Sequence, residues 1–172
     1  MPIIPYLEHT PSVHSSVFVA PNAWITGRCT LGKDCSLFFG ATLRGDIQAI
    51  IIGEGTNLQE HVIVHTSRGL KDCVIGNFVT VGHGAILHGC QTQDECLIGM
   101  GSTILDNAVI EKHAIVGAHS LVPMGMVVPE GHLAYGVPAK VVRPLTEKER
   151  AAHRISAEHY IKVGQNYKKE LP

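Results

Sequence analysis

The sequence predicts an all-β protein, a parallel β-helix of hexapeptide repeats followed by one C-terminal α-helix. Three observations support this: an aliphatic residue recurs every six positions from Val13 to Val128, the repeat fills eighteen hexads, and it is interrupted only three times. A hexad is too short to form a helical hairpin, whereas stacked hexads form a coil whose three walls are short strands. We therefore expect about six coils, over residues 13–133.

The interruptions of the repeat share one position in the coil. We name the three walls A, B and C in order from Val13, and we call the first residue of each hexad its head. Three extra residues follow Leu43, five follow Val64 and five follow Leu87, and all three of these residues are wall-C heads. Random insertions would be scattered over all three corners. We therefore predict three loops that leave the coil at the edge between wall C and the next wall A.

The C-terminal part of the chain has a different pattern. The segment 136–140, GVPAK, is typical of a turn, and Thr146 with Glu149 forms a capping box that starts a helix. The helix is predicted over residues 146–168. Since no linker interrupts the chain, residues 1–172 are expected to form a single domain.

The cysteines are interpreted as core residues with one exception. Four of them fall at the second, smaller inward position of a hexad, where a buried thiol packs well: Cys29, Cys35, Cys73 and Cys96. Cys90 falls in the third predicted loop and is expected to be exposed. The sequence has no C-x-x-C pair and no apolar segment before the first hexad, which favours a cytoplasmic protein with reduced thiols.

The composition argues against two classes of partner. The formal net charge is -1, with 14 Lys and Arg against 15 Asp and Glu, so no basic patch for nucleic acid is indicated. No run of residues is long and apolar enough to span a bilayer. We expect neither a nucleic-acid partner nor a membrane.

Two histidines and an arginine share one register on wall C. His65 and His88 each follow a wall-C head directly, in consecutive coils, and Arg44 holds the same register one coil earlier. Neighbouring strands lie about 4.8 Å apart. Two imidazoles at that separation can bind one metal ion at Zn–N distances of about 2.0–2.1 Å.

A third histidine lies on a different wall. His83 stands two places after a wall-B head, so it faces away from the other two within its own chain. It can join them only from a neighbouring molecule whose wall B meets this wall C. Such a heterologous contact closes most naturally as a ring of three, which predicts a homotrimer. Gln59 and Asn57 lie on the same wall, one coil before His83.

These motifs resemble those of the γ-class carbonic anhydrases and their hexapeptide-repeat relatives. The matching residues belong to LRGD, N-x-Q and the histidine motifs: Arg44, Asp46, Asn57, Gln59, His65, His83 and His88. The resemblance covers nearly the full chain. It implies a left-handed coil and a homotrimer with a metal site at each subunit contact, with the three histidines as ligands.

The resemblance also implies a reaction, the reversible hydration of CO2 to bicarbonate. The residue that matches Gln59 orients the solvent on the metal, and those that match Arg44 and Asp46 form an ion pair near the subunit contact; with Asn57 they make up the candidate catalytic set. Zinc is the expected metal, with iron(II) or cobalt(II) as alternatives, because three imidazoles suit all of them. Bound to three imidazoles, such an ion lowers the pKa of water towards about 7.

One departure from the family pattern concerns the proton. The most active members carry a glutamate that shuttles protons in a longer acidic loop after the first ligand, whereas residues 66–73 here read TSRGLKDC. Asp72 is the only acidic residue in this segment. We therefore expect a lower activity, since ionised water is useful only if its proton can leave.

Two other functions stay open at this point. Hexapeptide-repeat acyltransferases share the coil but use one histidine as a general base beside a coenzyme A channel. Alternatively, the metal could simply join subunits, as structural zinc sites do when no open position remains. The Arg44 and Asp46 pair could likewise be a structural interface pair, and Gln59 could merely hydrogen-bond an exposed corner.

Overall fold

A computed structural model describes residues 3–171 as a parallel β-helix of about seven coils with one C-terminal helix. The strands of successive coils pair in parallel with the aliphatic heads in register, so each wall contains a stack of buried side chains. On wall C the stacked heads are Ile25, Leu43, Val64, Leu87, Ile104 and Val122. The predicted coil architecture is confirmed.

The short strands are distributed over the three walls as follows. Wall A contains β2 (Ser12–Val13), the ends of β4 (Trp24–Leu31) and β6 (Thr42–Ile52), β9 (Cys73–Ile75), β12 (Gln91–Thr92), β15 (Val109–Ile110) and β18 (Val127–Val128). Wall B contains β3 (Phe18–Val19), β5 (Ser36–Leu37), β7 (Asn57–Leu58), β10 (Thr80–Val81), β13 (Leu97–Ile98), β16 (Ile115–Val116) and β19 (His132–Gly136). Wall C contains β1 (Ile3–Ile4), the starts of β4 and β6, β8 (Ile63–His65), β11 (Ile86–His88), β14 (Thr103–Ile104) and β17 (Leu121–Val122).

The wall order departs from the prediction after Leu87. Thr92 pairs with Ile75 in the coil below and with Ile110 in the coil above, so it is the wall-A head of its coil. A count of aliphatic heads passes over this buried threonine and predicts a five-residue loop, which the structure does not contain. Ile98 consequently lies on wall B instead of wall A, every later head moves by one wall, and about seven coils form instead of six.

The same error explains why the prediction for Cys90 is wrong. Cys90 is fully buried, and its Sγ lies 4.0 Å from the Sγ of Cys73. Because Thr92 continues wall A, Cys90 takes the small inward position that Cys73 takes in the coil below. The hydrogen bond with Cys73, together with burial, raises the pKa of the Cys90 thiol well above its ordinary value. All five cysteines are therefore core residues with free thiols.

The other two insertions are present and touch each other. The first lies within β6, which runs round the corner from wall C to wall A, and the second is the loop 66–72. The Gln48 backbone N–H donates to Oγ1 of the buried Thr66, at 3.1 Å. The Ala49 N–H donates to the Asp72 carboxylate, at 3.0 Å. These hydrogen bonds hold the loop beside the wall-C column that carries the histidines.

The C-terminal helix α1 spans Glu147–Glu170, close to the predicted range. The capping box is confirmed: Thr146 is the N-cap, its side chain accepts from the Glu149 N–H, and the Glu149 carboxylate accepts from the Thr146 N–H. The helix packs on wall B of the lower coils. Its aromatic contacts are made by Tyr160 and Tyr167 with Phe18, Phe38 and Phe39. The N-terminal part of the helix continues beside the upper coils, where the Nδ1 of His153 lies 2.9 Å from the Glu95 carbonyl oxygen.

The predicted turn at 136–140 joins two strands. β19 pairs antiparallel with β20 (Ala139–Pro144), and the resulting hairpin closes the last coil before the helix starts. The Tyr135 ring packs against Gly117 on the coil end, where a larger side chain would clash. Within residues 3–171, no helix has the length and apolarity needed to cross a membrane.

Candidate metal centre

His65 and His88 form the predicted outward pair on wall C. They lie on neighbouring strands β8 and β11 and are paired in register. The Nδ1 nitrogen of His65 is 3.1 Å from the Nε2 nitrogen of His88, and the ring centroids are 5.1 Å apart. The side chain of His65 is 12% exposed and that of His88 is 27% exposed. Two imidazole nitrogens thus meet in a partly buried position that solvent still reaches.

Asp46 connects Arg44 to His65 within one chain. Its Oδ2 accepts from the Arg44 Nη1 at 2.6 Å, and its Oδ1 lies 2.9 Å from the Nε2 of His65. Burial opposes ionisation of this carboxyl, but the hydrogen bonds from Arg44 and His65 lower the pKa of Asp46 below its ordinary value. A carboxylate can only accept, so the Nε2 of His65 is the donor of this hydrogen bond.

The other nitrogen of His65 therefore carries a lone pair. The Arg44 Nη2 lies 3.2 Å from the Nδ1 of His65, and a guanidinium can only donate, which requires an acceptor at that nitrogen. Burial lowers the pKa of His65, and the positive charge of Arg44 lowers it further although Asp46 opposes both. The neutral imidazole, the form that binds metal ions, is favoured.

Asp106 contacts His88 and was not among the predicted site residues. Its Oδ2 lies 3.0 Å from the Nδ1 of His88, and the Ser67 hydroxyl donates to the same oxygen at 3.4 Å. Asp106 stands two places after Ile104, one coil above His88 on wall C. The aliphatic count assigned Ile104 to wall B because it passed over Thr92. Counting Thr92 as a head would have placed Asp106 beside His88.

The donor set fits a metal ion. Because Asp46 and Asp106 each accept from a ring N–H, the Nδ1 of His65 and the Nε2 of His88 present two lone pairs to each other across 3.1 Å when both rings are neutral. Facing lone pairs repel unless a proton or a metal ion lies between them. Two nitrogens bound to zinc at 2.0–2.1 Å with tetrahedral angles are about 3.3 Å apart, close to the separation observed.

His83 does not reach this pair within one chain. It lies on wall B with a half-exposed side chain, and its Nδ1 is 2.5 Å from the Glu60 Oε2. Over residues 3–171 of a single chain, no three His, Cys, Asp or Glu side chains are grouped so that they could hold a metal ion. Each chain therefore supplies two imidazoles on one wall and a third on another wall, as the spacing predicted.

Gln59 and Asn57 lie on wall B, in the coil before His83. Gln59 is 5% exposed, and its Nε2 donates to the Asn57 Oδ1 at 3.4 Å, while the Asn57 Nδ2 donates to the Thr80 Oγ1 at 2.9 Å. This chain of hydrogen bonds fixes the Gln59 amide on the wall. Gln59 also borders a groove of about 280 Å³, which small and aliphatic residues line, among them Gly82, Leu97, Gly99 and Ile115.

Several curated relatives of the chain are carbonic anhydrases by name. It is 41% identical over 168 residues to "Gamma carbonic anhydrase 2, mitochondrial" of Arabidopsis thaliana, an alignment that covers 95% of this chain and 60% of the relative. It is 44% identical over 167 residues to "Carbonic anhydrase" of Geobacillus kaustophilus, with 96% and 91% covered. The chain thus spans about 60% of the plant relative's length. No protein-family model matches the chain.

Solved structures share the fold over nearly the whole chain. The crystal structure of a hexapeptide transferase family protein from Anaplasma phagocytophilum has a TM-score of 0.93 and 43% sequence identity, covering 96% of this chain and 98% of that one. The coil is the hexapeptide-repeat left-handed β-helix, so the handedness expected from the family resemblance is confirmed.

Proposed function

Since this chain belongs to the γ-carbonic anhydrase family, we propose that it catalyses the reversible hydration of CO2 to bicarbonate at a metal centre shared between two subunits of a homotrimer. One observation carries the proposal. The Nδ1 of His65 and the Nε2 of His88 face each other at 3.1 Å, and a carboxylate holds the other nitrogen of each ring. His83 of a second copy is the third ligand.

The chain's own residues are suited to hold such an ion. The three imidazoles fit zinc, and they suit iron(II) and cobalt(II) as well. When bound, the ion supplies Lewis acidity that lowers the pKa of water towards about 7. Asp46 keeps His65 in the tautomer that offers Nδ1, so its role in this proposal is to orient a ligand. The Arg44 hydrogen bond to Nδ1 has to break when an ion binds there, because this nitrogen has a single lone pair.

Gln59 is positioned to orient the attacking water across the subunit contact. It shares wall B with His83, so a neighbour that supplies His83 also brings Gln59 to the same site. Its amide is held by Asn57, which in turn is held by Thr80. A fixed amide can donate to one oxygen and accept from another, and such positioning lowers the entropic barrier to attack on CO2.

The surfaces of walls B and C support the trimer. The groove beside Gln59 is lined by small and aliphatic side chains. On wall C, next to the histidine column, the apolar side chain of Ile63 is 44% exposed. Apolar surface left exposed on two walls is typical of a subunit contact, and joining wall B to wall C in each of three copies closes the ring.

Metal analysis combined with a CO2-hydration assay on anaerobically prepared protein tests the proposal. We expect one metal ion per chain and hydration that disappears together with the metal in His65→Ala and His88→Ala. His159→Ala is the matched control, because His159 is exposed on α1 and is not one of the site residues. A fully metallated trimer that shows no hydration above the buffer background at any pH would overturn the assignment.

The second candidate function is acyl transfer. It is supported by the name of the Anaplasma protein, which is a hexapeptide transferase family protein. Acyl transfer of this class needs one histidine as a general base and a coenzyme A site, with no metal. Binding of acetyl-CoA by metal-free protein, measured by calorimetry, would favour this function, whereas metal binding without affinity for acetyl-CoA supports hydration.

A further inference from the structure

The Asp106 carboxylate occupies space that a glycine leaves open. Gly89 lies directly below Asp106 on wall C and has a positive φ of 53°, and a Cβ at this position would overlap the Oδ1 of Asp106. The absence of a side chain at Gly89 therefore lets the carboxylate turn down towards the Nδ1 of His88. The backbone at Gly89 and the side chain of Asp106 form one local arrangement.

This arrangement lowers the stability of the fold. The Asp106 side chain is 9% exposed, and its Oδ1 is buried with no hydrogen-bond partner. Burying an ionised carboxylate with one oxygen unpaired destabilises a fold, and a native chain that keeps such a group usually keeps it for a function. The partners of Oδ2 indicate that function: they are His88 and Ser67.

We propose that Asp106 is a positioning residue of the metal centre, which accepts the Nδ1–H of His88 and so keeps the Nε2 lone pair directed at His65. This inference rests on the proposed function in taking the two histidines as ligands. A histidine that binds a metal usually donates its other N–H to a carboxylate, a carbonyl or water, and the loss of that partner costs about 10–100-fold in metal affinity.

The same pairing recurs at the other two histidines. Asp46 accepts from His65, and Glu60 lies 2.5 Å from the Nδ1 of His83, one coil below it on wall B. Each of the three candidate ligands thus has its own carboxylate. The pairing is closer at these three histidines, at 2.5–3.0 Å, than at His113, which is no candidate ligand and lies 3.5 Å from Glu95.

Ser67 extends the role of Asp106 to the neighbouring loop. The Ser67 hydroxyl donates to the oxygen that accepts from His88, so the first residues of loop 66–72 are held by the same carboxylate that orients the ligand. Loss of Asp106 should therefore loosen the His88 ring and the start of this loop together.

The test compares Asp106→Ala, Asp106→Asn and wild type in two measurements. Histidine side-chain 15N NMR of metal-free protein reports the tautomer of His88: we expect Nδ1–H in wild type and a mixture of tautomers in Asp106→Ala. Competition titration with cobalt(II) reports affinity: we expect 10–100-fold weaker binding in Asp106→Ala. Asp106→Asn should lose less, because the amide oxygen still accepts a hydrogen bond.

Asp94→Ala is the matched control. Asp94 also stands two places after a head, Thr92, and its carboxylate accepts from the Asn77 N–H at 2.8 Å without touching a histidine. We expect its loss to lower stability while the His88 tautomer and the cobalt affinity stay unchanged. Gly89→Ala is a second variant with the Asp106 carboxylate intact but displaced, and it should reproduce the change in tautomer.

The two measurements separate the failure of this inference from that of the proposed function. If the His88 tautomer and the cobalt affinity of folded Asp106→Ala both equal those of wild type, Asp106 has no positioning role. If wild type binds no metal, the proposed function fails. The tautomer measurement still decides whether Asp106 orients His88 in that case, because it needs no metal.

Discussion

The Nδ1 of His65 and the Nε2 of His88 lie 3.1 Å apart although 23 residues separate them in sequence. They meet because strands β8 and β11 are paired in register, and because the insertion 66–72 leaves the coil at a corner without shifting that register. The coil therefore brings two candidate ligands together within one chain. The third candidate ligand, His83, lies on another wall and can reach this pair only from another subunit.

Shared sites should allow two inactive variants to restore each other. In a mixed trimer of His83→Ala and His88→Ala chains, a wall C with His88 can face a wall B with His83, so some sites regain all three imidazoles. We expect metal content and hydration to return in part when the two variants are refolded together. Mixed trimers, verified by mass spectrometry, that bind no metal would contradict a site formed between subunits.

Loss of the Gln59 amide should slow hydration without weakening metal binding. Gln59→Ala should retain its metal while hydration slows about tenfold, which corresponds to one oriented hydrogen bond of about 1.4 kcal/mol in the transition state. Gln93→Ala is the control. Gln93 directly follows a wall-A head, as Gln59 directly follows a wall-B head, and its side chain accepts from the Lys112 N–H. Metal analysis and stopped-flow kinetics measure both effects. A Gln59→Ala variant with the wild-type rate would exclude the orienting role.

Hydration should depend strongly on the buffer. The only acidic residue of loop 66–72 is Asp72, and its carboxylate already accepts from the Ala49 N–H. No carboxylate of this loop is thus free to carry the proton away. We expect the rate to rise with imidazole concentration at constant pH and ionic strength, because external base replaces an internal relay. A rate that stays constant from low to high buffer concentration would indicate an internal route.

Alkylation of folded protein should be slow at every cysteine. All five thiols are buried, and burial raises the pKa values of Cys29, Cys35 and Cys96 to about 12. Since only the thiolate reacts quickly, labelling should need denaturant. Thiol counting with and without urea measures this. If Cys90 were labelled in the folded protein at the rate of a free thiol, its assignment to the core beside Cys73 would be wrong.

Stability should fall in mild acid because of His153 on α1. Its ring is 5% exposed, with Nδ1 2.9 Å from the Glu95 carbonyl and Nε2 buried without a partner. Burial lowers its pKa below 6.5; the Glu95 hydrogen bond opposes this shift and His113 adds to it. The contribution of His153 to the stability of the fold is fully present above about pH 6.5, the ordinary pKa of a histidine. It is lost as the pH falls through the lower pKa of the folded state, because the unfolded chain binds the proton first.

Urea unfolding midpoints between pH 7.5 and 5.5 test this dependence. We expect His153→Gln to flatten the loss of stability with falling pH, whereas His159→Gln, on the exposed side of the same helix, should leave it unchanged. The other histidines titrate equally in all three proteins, so the difference between variants isolates His153. Parallel curves for wild type and His153→Gln would show that this ring does not control the pH response.

Much of the fold was predicted from the repeat, and the one error in the assignment of walls has a local cause. A six-residue period places each head on a known wall, so the column of His65 and His88 and the separate wall of His83 were predictable. Thr92 was not recognised as a head because it is polar. Its hydroxyl oxygen accepts from the Gly76 N–H of the coil below, at 3.3 Å, which no spacing rule reveals. Cys90 and Asp106 were misplaced or missed as a result.

The sequence by itself determined the coil, the capped helix and the pairing of His65 with His88, because these depend on periodicity and on contacts between neighbouring repeats. Only the tertiary structure decided which nitrogen of each ring carries the proton. That choice depends on Asp46 and Asp106, carboxylates that approach from other coils, and on the space left by Gly89. Such through-space contacts are determined by side-chain direction, which the spacing of residues along the chain does not encode.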